Sequence, residues 1–133
     1  MRASTRTATV FDALDRPPQT EHTPEGTRVS VRLAVERAAA QMAGHYPDFP
    51  ILPGVLLIEC VRQAASSARG AELRLCSVGR ARFVRPLLPG DELELSLLLT
   101  PQAIGRVGVV ARGVRADGQT AAEVHLTLEP AGV

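Results

Sequence analysis

The sequence contains no lysine and no tryptophan, and only 3% of its 133 residues are aromatic. The fifteen basic residues are therefore all arginines, and with fourteen acidic residues they leave a formal net charge of +1. A charge so close to neutral gives no reason to expect nucleic acid as a partner. Because 45% of the residues are hydrophobic, the chain can bury a core, which must be built from valine, leucine, isoleucine and alanine.

Long apolar segments are also lacking. No run of about 18 uninterrupted apolar residues occurs, so no transmembrane helix is predicted. The N-terminus has no apolar stretch suited to a secretory signal, and we therefore expect a soluble, cytoplasmic protein. The two cysteines, Cys60 and Cys76, lie neither in a CxxC pair nor at ligand spacing from a histidine. We expect buried free thiols, with no disulfide and no metal site.

The length suits one domain over residues 1–133, with an irregular segment or a weak first strand over 1–26. Apolar residues alternate with polar ones in several later segments, which predicts strands at 28–33, 73–83, 93–99, 106–116 and 122–128. A short helix is predicted over 35–43, and a longer one from Pro53 to a stop at Gly70. The longer helix is apolar nearly all round at its start, which favours burial. We therefore predict an α+β fold in which an antiparallel sheet wraps around a long central helix.

Two chemically capable residues flank the start of that helix. His45 lies in a loop rich in proline, and Glu59 follows in the second helical turn among Leu57, Ile58 and Cys60. Burial raises the pKa of a carboxyl group, which suits a proton donor near neutral pH. The helix N-terminus offers free N–H groups to a developing oxyanion. The alternatives are a surface or capping histidine and a glutamate paired with Arg62 or Gln63 one turn away.

The segment GHYPDFPILPGVLLIE, residues 44–59, resembles the active-site segment of FabZ-type 3-hydroxyacyl-(acyl carrier protein) dehydratases, which have the hot-dog fold. That family shows a GHFPGxPxxPGV stretch with a glutamate fourteen residues after the histidine, as Glu59 is after His45. A second block, ARFVRPLLPGD at residues 81–91, is also similar to the family, and so is Gln63. Tyr46 and Asp48 depart from the usual phenylalanine and glycine, and residues 10–20 lack the family's Pro-His-Arg segment.

The resemblance implies a reaction and a set of roles. His45 would remove a proton from the carbon alpha to the thioester, and Glu59 would protonate the leaving hydroxyl group. The Gly54 N–H would stabilise the thioester oxygen, with no cofactor and no metal required. The remaining substrate contacts would come from an apolar tunnel and its surroundings, formed by Tyr46, Leu56, Leu57, Gln63 and Phe83. Plain core packing is the alternative for the apolar side chains among them.

Partners are implied as well. We expect a homodimer, or a heterodimer with a related dehydratase subunit, in which each site takes its histidine from one chain and its glutamate from the other. An acyl carrier protein would dock on the basic side chains Arg80, Arg82 and Arg85, unless these form only a solvated edge. The departures favour a specialised role in polyketide or polyene assembly over bulk fatty-acid synthesis. A hot-dog thioesterase, a non-catalytic half of a heterodimer and a hydratase of coenzyme A thioesters remain as alternatives.

Overall fold

The computed structural model describes residues 17–35, 54–88 and 90–131 of the chain. They form six strands and one long helix, in the order β1 (Gln19–Thr23), β2 (Gly26–Ala34), α1 (Gly54–Arg69), β3 (Leu73–Phe83), β4 (Glu92–Pro101), β5 (Val107–Arg115) and β6 (Thr120–Pro130). All strands join one antiparallel sheet in the order β1-β2-β4-β5-β6-β3. The predicted α+β architecture, a hot-dog fold, is confirmed. The helix predicted at 35–43 lies outside the described residues, apart from Val35.

The core lies on one face of the sheet and follows from strict alternation. In β4 the side chains of Leu93, Leu95, Leu97 and Leu99 are buried, while Glu94 and Ser96 between them are exposed and Leu98 is half-buried. Successive side chains of a strand point to opposite faces, so one apolar residue in two is enough to cover the core side. The same pattern in β2, β5 and β6 adds the valines, leucines and alanines that complete the core.

The helix α1 lies against this apolar face. Its buried residues recur at intervals of three and four, which places them along one stripe: Leu57, Cys60, Val61, Ala64 and Ala65. Val55, by contrast, is 67% exposed. The prediction that the start of the helix is buried all round was therefore wrong for the described part of a single chain. The apolar residues at the start of the helix lie on two of its sides, and the described residues of this chain cover only the side that faces the sheet.

The junction between α1 and β3 is closed by hydrogen bonds. Gly70 adopts a φ of 68°, its N–H donates to the carbonyl of Ser67, and the N–H of Ala71 donates to that of Ser66. This pair of bonds is the Schellman ending, in which glycine removes the steric cost of the left-handed conformation. The hydroxyl of Ser66 then accepts from the Leu73 N–H at 3.0 Å and donates to its carbonyl at 3.4 Å. The predicted stop at Gly70 is confirmed, and the first residue of β3 is fixed to the helix.

Strand β3 forms one edge of the sheet and is unusual in its exposure. Only its first residue, Leu73, is buried, and the other ten are exposed. Its register against β6 shifts at Cys76 and again at Gly79, which is the effect of β-bulges. A long exposed edge carries unpaired backbone groups and is prone to pair with another chain.

The segment 1–26 contains the first strand within its described part. Residues 19–23 form β1 and pair with β2 in a regular antiparallel register, so of the two expectations, an irregular segment or a weak first strand, the strand is confirmed for these residues. Its sequence, QTEHT, shows no apolar alternation, because an edge strand exposed on both faces is held by backbone hydrogen bonds to its neighbour. Residues 1–16 lie outside the described part of the chain.

The turn between β4 and β5 carries backbone strain. Ile104 adopts a φ of 64° in the left-handed region and is 86% exposed, although it is a β-branched residue. Asparagine tolerates this conformation better, and the left-handed conformation costs an ordinary residue roughly 1–2 kcal/mol. We expect Ile104→Asn to raise the free energy of unfolding by about 1 kcal/mol in urea denaturation, whereas Ile104→Val, which keeps the branch, should not. An Asn variant no more stable than the parent would show that the turn is unstrained.

Candidate active site

Glu59 lies in the second turn of α1, beside the buried stripe of the helix. Its side chain is 30% exposed, and the next residue, Cys60, is buried in the core. Both carboxylate oxygens accept hydrogen bonds. Oε1 accepts from Nε of Arg62 at 2.9 Å, and Oε2 accepts from Nη2 of Arg62 at 2.7 Å and from Nε2 of Gln63 at 3.0 Å. Helical spacing brings both donors to the carboxylate, because residues three and four positions apart share a face.

Arg62 is itself anchored outside the helix. Its Nη1 atom donates to Oε2 of Glu72 at 2.7 Å and to the carbonyl of Leu73 at 2.6 Å. The guanidinium thus bridges the helix and the first residue of β3, and the Arg62 side chain is only 16% exposed. An arginine that engages a carboxylate with two parallel N–H groups fixes its orientation as well as its charge.

These contacts decide the charge of Glu59. Burial alone raises the pKa of this carboxyl group, as the sequence suggested. The hydrogen bonds from Arg62 and Gln63 and the positive charge of Arg62 outweigh burial, and the pKa of Glu59 lies below its ordinary value. The inference that burial leaves Glu59 with a raised pKa was therefore wrong. The direction of this shift favours the carboxylate form of Glu59 near neutral pH.

The neighbouring thiol behaves differently. Burial, together with the negative charge of Glu59, raises the pKa of Cys60 to about 12, so this thiol stays neutral and unreactive. Both Cys60 and Cys76 are free, as predicted, but the expectation that both are buried was wrong for Cys76, which is exposed on the edge strand β3.

Gly54 opens the helix, and the space beside it is filled by Phe83. A Cβ atom on Gly54 would lie 2.8 Å from two atoms of the Phe83 ring, closer than carbon atoms pack. Glycine is therefore required here for the ring to lie against the helix start. Phe83 is 47% exposed, at the end of β3. Two residues predicted to belong to the site, Gly54 and Phe83, therefore lie against each other.

The other predicted site residues fall in different places. Leu57 is a core residue with 1% exposure, as core packing requires, while Leu56 packs against the core from the edge. Arg80 and Arg82 are exposed on β3. Arg85 lies in the loop after β3 and donates to the backbone carbonyl of Thr120, the first residue of β6. Their contacts with an acyl chain or a carrier protein stay predictions. His45 and Tyr46 lie outside the described residues.

Sequence reasoning identified Arg62 only as a possible partner of Glu59 and missed its second anchor. The spacing of three residues could find the first contact. The contact with Glu72 and Leu73 depends on how the chain turns after Gly70, and no local sequence pattern encodes it.

Over the described ranges, no helix is long and apolar enough to cross a membrane.

Comparison with known proteins gives a consistent picture. Residues 20–113 match the family model described as ApeI dehydratase. The 3-hydroxyacyl-(acyl-carrier-protein) dehydratase FabZ of Polynucleobacter asymbioticus is 40% identical over 63% of this chain and 60% of its own length. The chain thus spans about three fifths of the length of this curated relative.

Two solved structures share the fold. The dehydratase heterocomplex ApeI:P from Xenorhabdus doucetiae has a chain with a TM-score of 0.64 and 24% identity, covering 85% of this chain and 98% of its own. A hypothetical thioesterase with coenzyme A from Streptococcus pneumoniae gives a TM-score of 0.65 at 13% identity and covers 98% of each chain. Identities this low establish a common fold, whereas the match to the family model spans more than half of the sequence. The chain is a member of the ApeI-like dehydratase family.

Proposed function

We propose that this protein removes water from 3-hydroxyacyl thioesters on an acyl carrier protein and forms 2-enoyl thioesters. The observation that carries the proposal is Glu59, a carboxylate fixed through both oxygens beside the core of a dehydratase-family domain. Elimination needs one group that removes a proton from the alpha carbon and another that gives a proton to the leaving beta hydroxyl. His45 and Glu59 are proposed for these roles, with the Gly54 N–H for the thioester oxygen.

The charge of Glu59 constrains this cycle. As a proton donor Glu59 must be protonated when substrate reacts, yet Arg62 and Gln63 favour its carboxylate form. The protonated form of Glu59 that this role requires is therefore disfavoured by Arg62 and Gln63. One elimination moves a proton to His45 and consumes the proton of Glu59, and returning a proton from the imidazole to the carboxylate restores the starting state. A single proton shared by the pair is therefore enough for repeated turnover.

The proposed assembly is a dimer that forms along the edge of β3. This edge and the loop after it expose large apolar side chains, each more than two fifths accessible: Leu75, Val78, Phe83 and Leu88. A partner strand there would cover the apolar groups and complete the backbone hydrogen bonds. The partner is a second copy, or a related subunit of the kind implied by the sequence resemblance. His45 of one chain would then serve Glu59 of the other.

The proposed docking site for the carrier protein is the basic end of β3. Arg82 borders a shallow cleft of about 200 Å³ with Val84, Thr120, Ala122 and Glu123, and Arg80 is exposed on the same strand. Acidic side chains of a carrier protein would be drawn to these guanidinium groups and raise the association rate.

Loss of either catalytic group should remove activity. We expect His45→Ala and Glu59→Gln each to lower turnover at least about 100-fold, because a general acid or base contributes about 10²–10⁴-fold. Mass spectrometry of carrier-bound 3-hydroxyacyl chains measures the loss of one water. His22→Ala and Glu92→Gln are matched controls on exposed strand positions and should keep wild-type rates. Wild-type dehydration by either catalytic variant would reject the assignment, and release of a free carrier thiol would indicate a thioesterase.

The dimer can be tested at the sheet edge. Val78 is 44% exposed on β3, and a charge there would have to be buried by a partner strand. We expect Val78→Glu to shift the protein from dimer to monomer in light scattering and to abolish dehydration. Val110→Glu, at a similarly exposed apolar position on β5, should do neither. A wild-type protein that is strictly monomeric and fully active would contradict the shared site.

Docking can be separated from chemistry by changing the carrier. We expect Arg82→Glu to raise KM about tenfold for a carrier-bound substrate, equivalent to about 1.4 kcal/mol. The same variant should act normally on a short thioester that lacks the carrier protein. Arg28→Glu places the same charge change on exposed β2 and should leave both substrates unaffected. Equal KM values for Arg82→Glu and wild type on the carrier would exclude docking at Arg82.

A further inference from the structure

Arg62 is engaged in a way that an ordinary surface ion pair is not. Its guanidinium donates to both oxygens of Glu59, to Glu72 and to the backbone carbonyl of Leu73. A surface ion pair contributes little because two long side chains must be held in place at an entropic cost. Here that cost is reduced, since Arg62 is only 16% exposed and its far side is tied to the backbone at the start of β3.

We infer that Arg62 is a positioning residue of the proposed dehydration, which holds the Glu59 carboxylate in one orientation by binding both of its oxygens and anchoring them to the start of β3. The inference rests on the proposed function for its catalytic meaning. The contact itself rests only on the described geometry. Arg62 acts through Glu59 and needs no contact with the substrate.

The hydrogen bonds also distinguish the two oxygens of Glu59. Among the described residues, Oε2 accepts from both Arg62 and Gln63, whereas Oε1 accepts from Arg62 alone. A carboxylate oxygen has two lone pairs, so Oε1 keeps acceptor capacity while Oε2 uses both. The proton that reaches the leaving hydroxyl group is therefore assigned to Oε1.

The charged surroundings of Glu59 are few within the described part of the chain. Arg62 lies on the same helix, Glu72 lies before β3, and the thiol of Cys60 is neutral. The strands that pack against α1 carry charged residues too. Those of β2 and β4 alternate to the outer face of the sheet, and those of β3 are exposed: Arg28, Arg32, Glu92, Glu94, Arg74, Arg80 and Arg82. Arg62 is thus the cation that governs the titration of Glu59, together with the amide of Gln63.

Removal of Arg62 has a defined sign. Burial of Glu59 raises its pKa and remains when Arg62 is replaced, while the opposing hydrogen bonds and charge are lost. The pKa of Glu59 should therefore rise in Arg62→Met. Because the folded-state pKa is lowered in the wild type, the pair stabilises the fold above the ordinary pKa of glutamate, and this contribution disappears as the pH falls through the lowered value.

The direct test is the titration of Glu59 in the unligated protein. Carboxyl ¹³C NMR on glutamate-labelled protein, with Glu59→Gln for assignment, follows this one group without any substrate. We expect an upward shift of the pKa in Arg62→Met and a smaller one in Arg62→Lys, since lysine keeps the charge but not the two-pronged contact. Arg69→Gln removes an exposed charge from the last turn of α1. Glu72→Gln removes the charge of Glu72 but leaves Arg62 bound to both oxygens of Glu59 and to the Leu73 carbonyl. Neither control should raise the pKa.

Kinetics then test the catalytic meaning. In Arg62→Met, kcat should fall roughly 100-fold with KM little changed, as expected for misplacement of a reacting group. The acidic limb of the pH profile of kcat/KM should move upward together with the NMR titration. A folded Arg62→Met that titrates and turns over like the wild type overturns the inference. If Arg62→Met fails to fold, an Arg62→Lys protein identical to wild type in both measurements overturns it equally.

The two proposals can fail separately. Should Glu59→Gln dehydrate carrier-bound substrate at the wild-type rate, the proposed function fails while the NMR shift in Arg62 variants still reports the contact. Should Glu59→Gln be inactive and Arg62→Met behave as wild type, the dehydratase stands and the role of Arg62 is removed.

Discussion

The attachment of α1 to the first residue of β3 is the constraint on which the candidate site depends. Ser66 and Arg62 both bind the backbone of Leu73, one through its hydroxyl group and the other through its guanidinium. Polar groups buried at such a junction are costly unless they are paired, and here each one is. The same contacts that orient the helix on the sheet also fix Arg62, which donates hydrogen bonds to both carboxylate oxygens of Glu59. Fold and site are therefore built from one set of hydrogen bonds.

This arrangement changes how a buried carboxylate is understood. An apolar environment alone would keep Glu59 protonated, and the acid role would follow without further cost. The arginine beside it gives a stable anion with a fixed orientation, and catalysis must then draw on a less populated protonation state. In such a site, less of Glu59 carries the proton that the acid role needs, but its carboxyl group is held in one orientation.

In the same region, the ring of Phe83 lies over Gly54, so access to the helix start depends on where that ring sits.

Much of the fold was predictable because its elements follow simple periodicities. The alternating leucines of β4 and the glycine at the end of α1 each encode their structure locally, and both predictions were confirmed. Strand β1 was not clear from its own residues, because pairing with β2 defines it. The exposure of β3 was equally hidden, since its bulges at Cys76 and Gly79 and its edge position come from the sheet as a whole. For the site, spacing brought Arg62 within range of Glu59, but only the tertiary turn after Gly70 revealed its anchoring.

The connection between α1 and β3 is only three residues long, from Gly70 to Glu72. A link this short leaves little slack between the helix and the outermost strand. A partner that bound along β3 would therefore lie on the strand whose first carbonyl accepts from Arg62. Its effect on the position of Leu73 would be passed to Glu59 through a single guanidinium group.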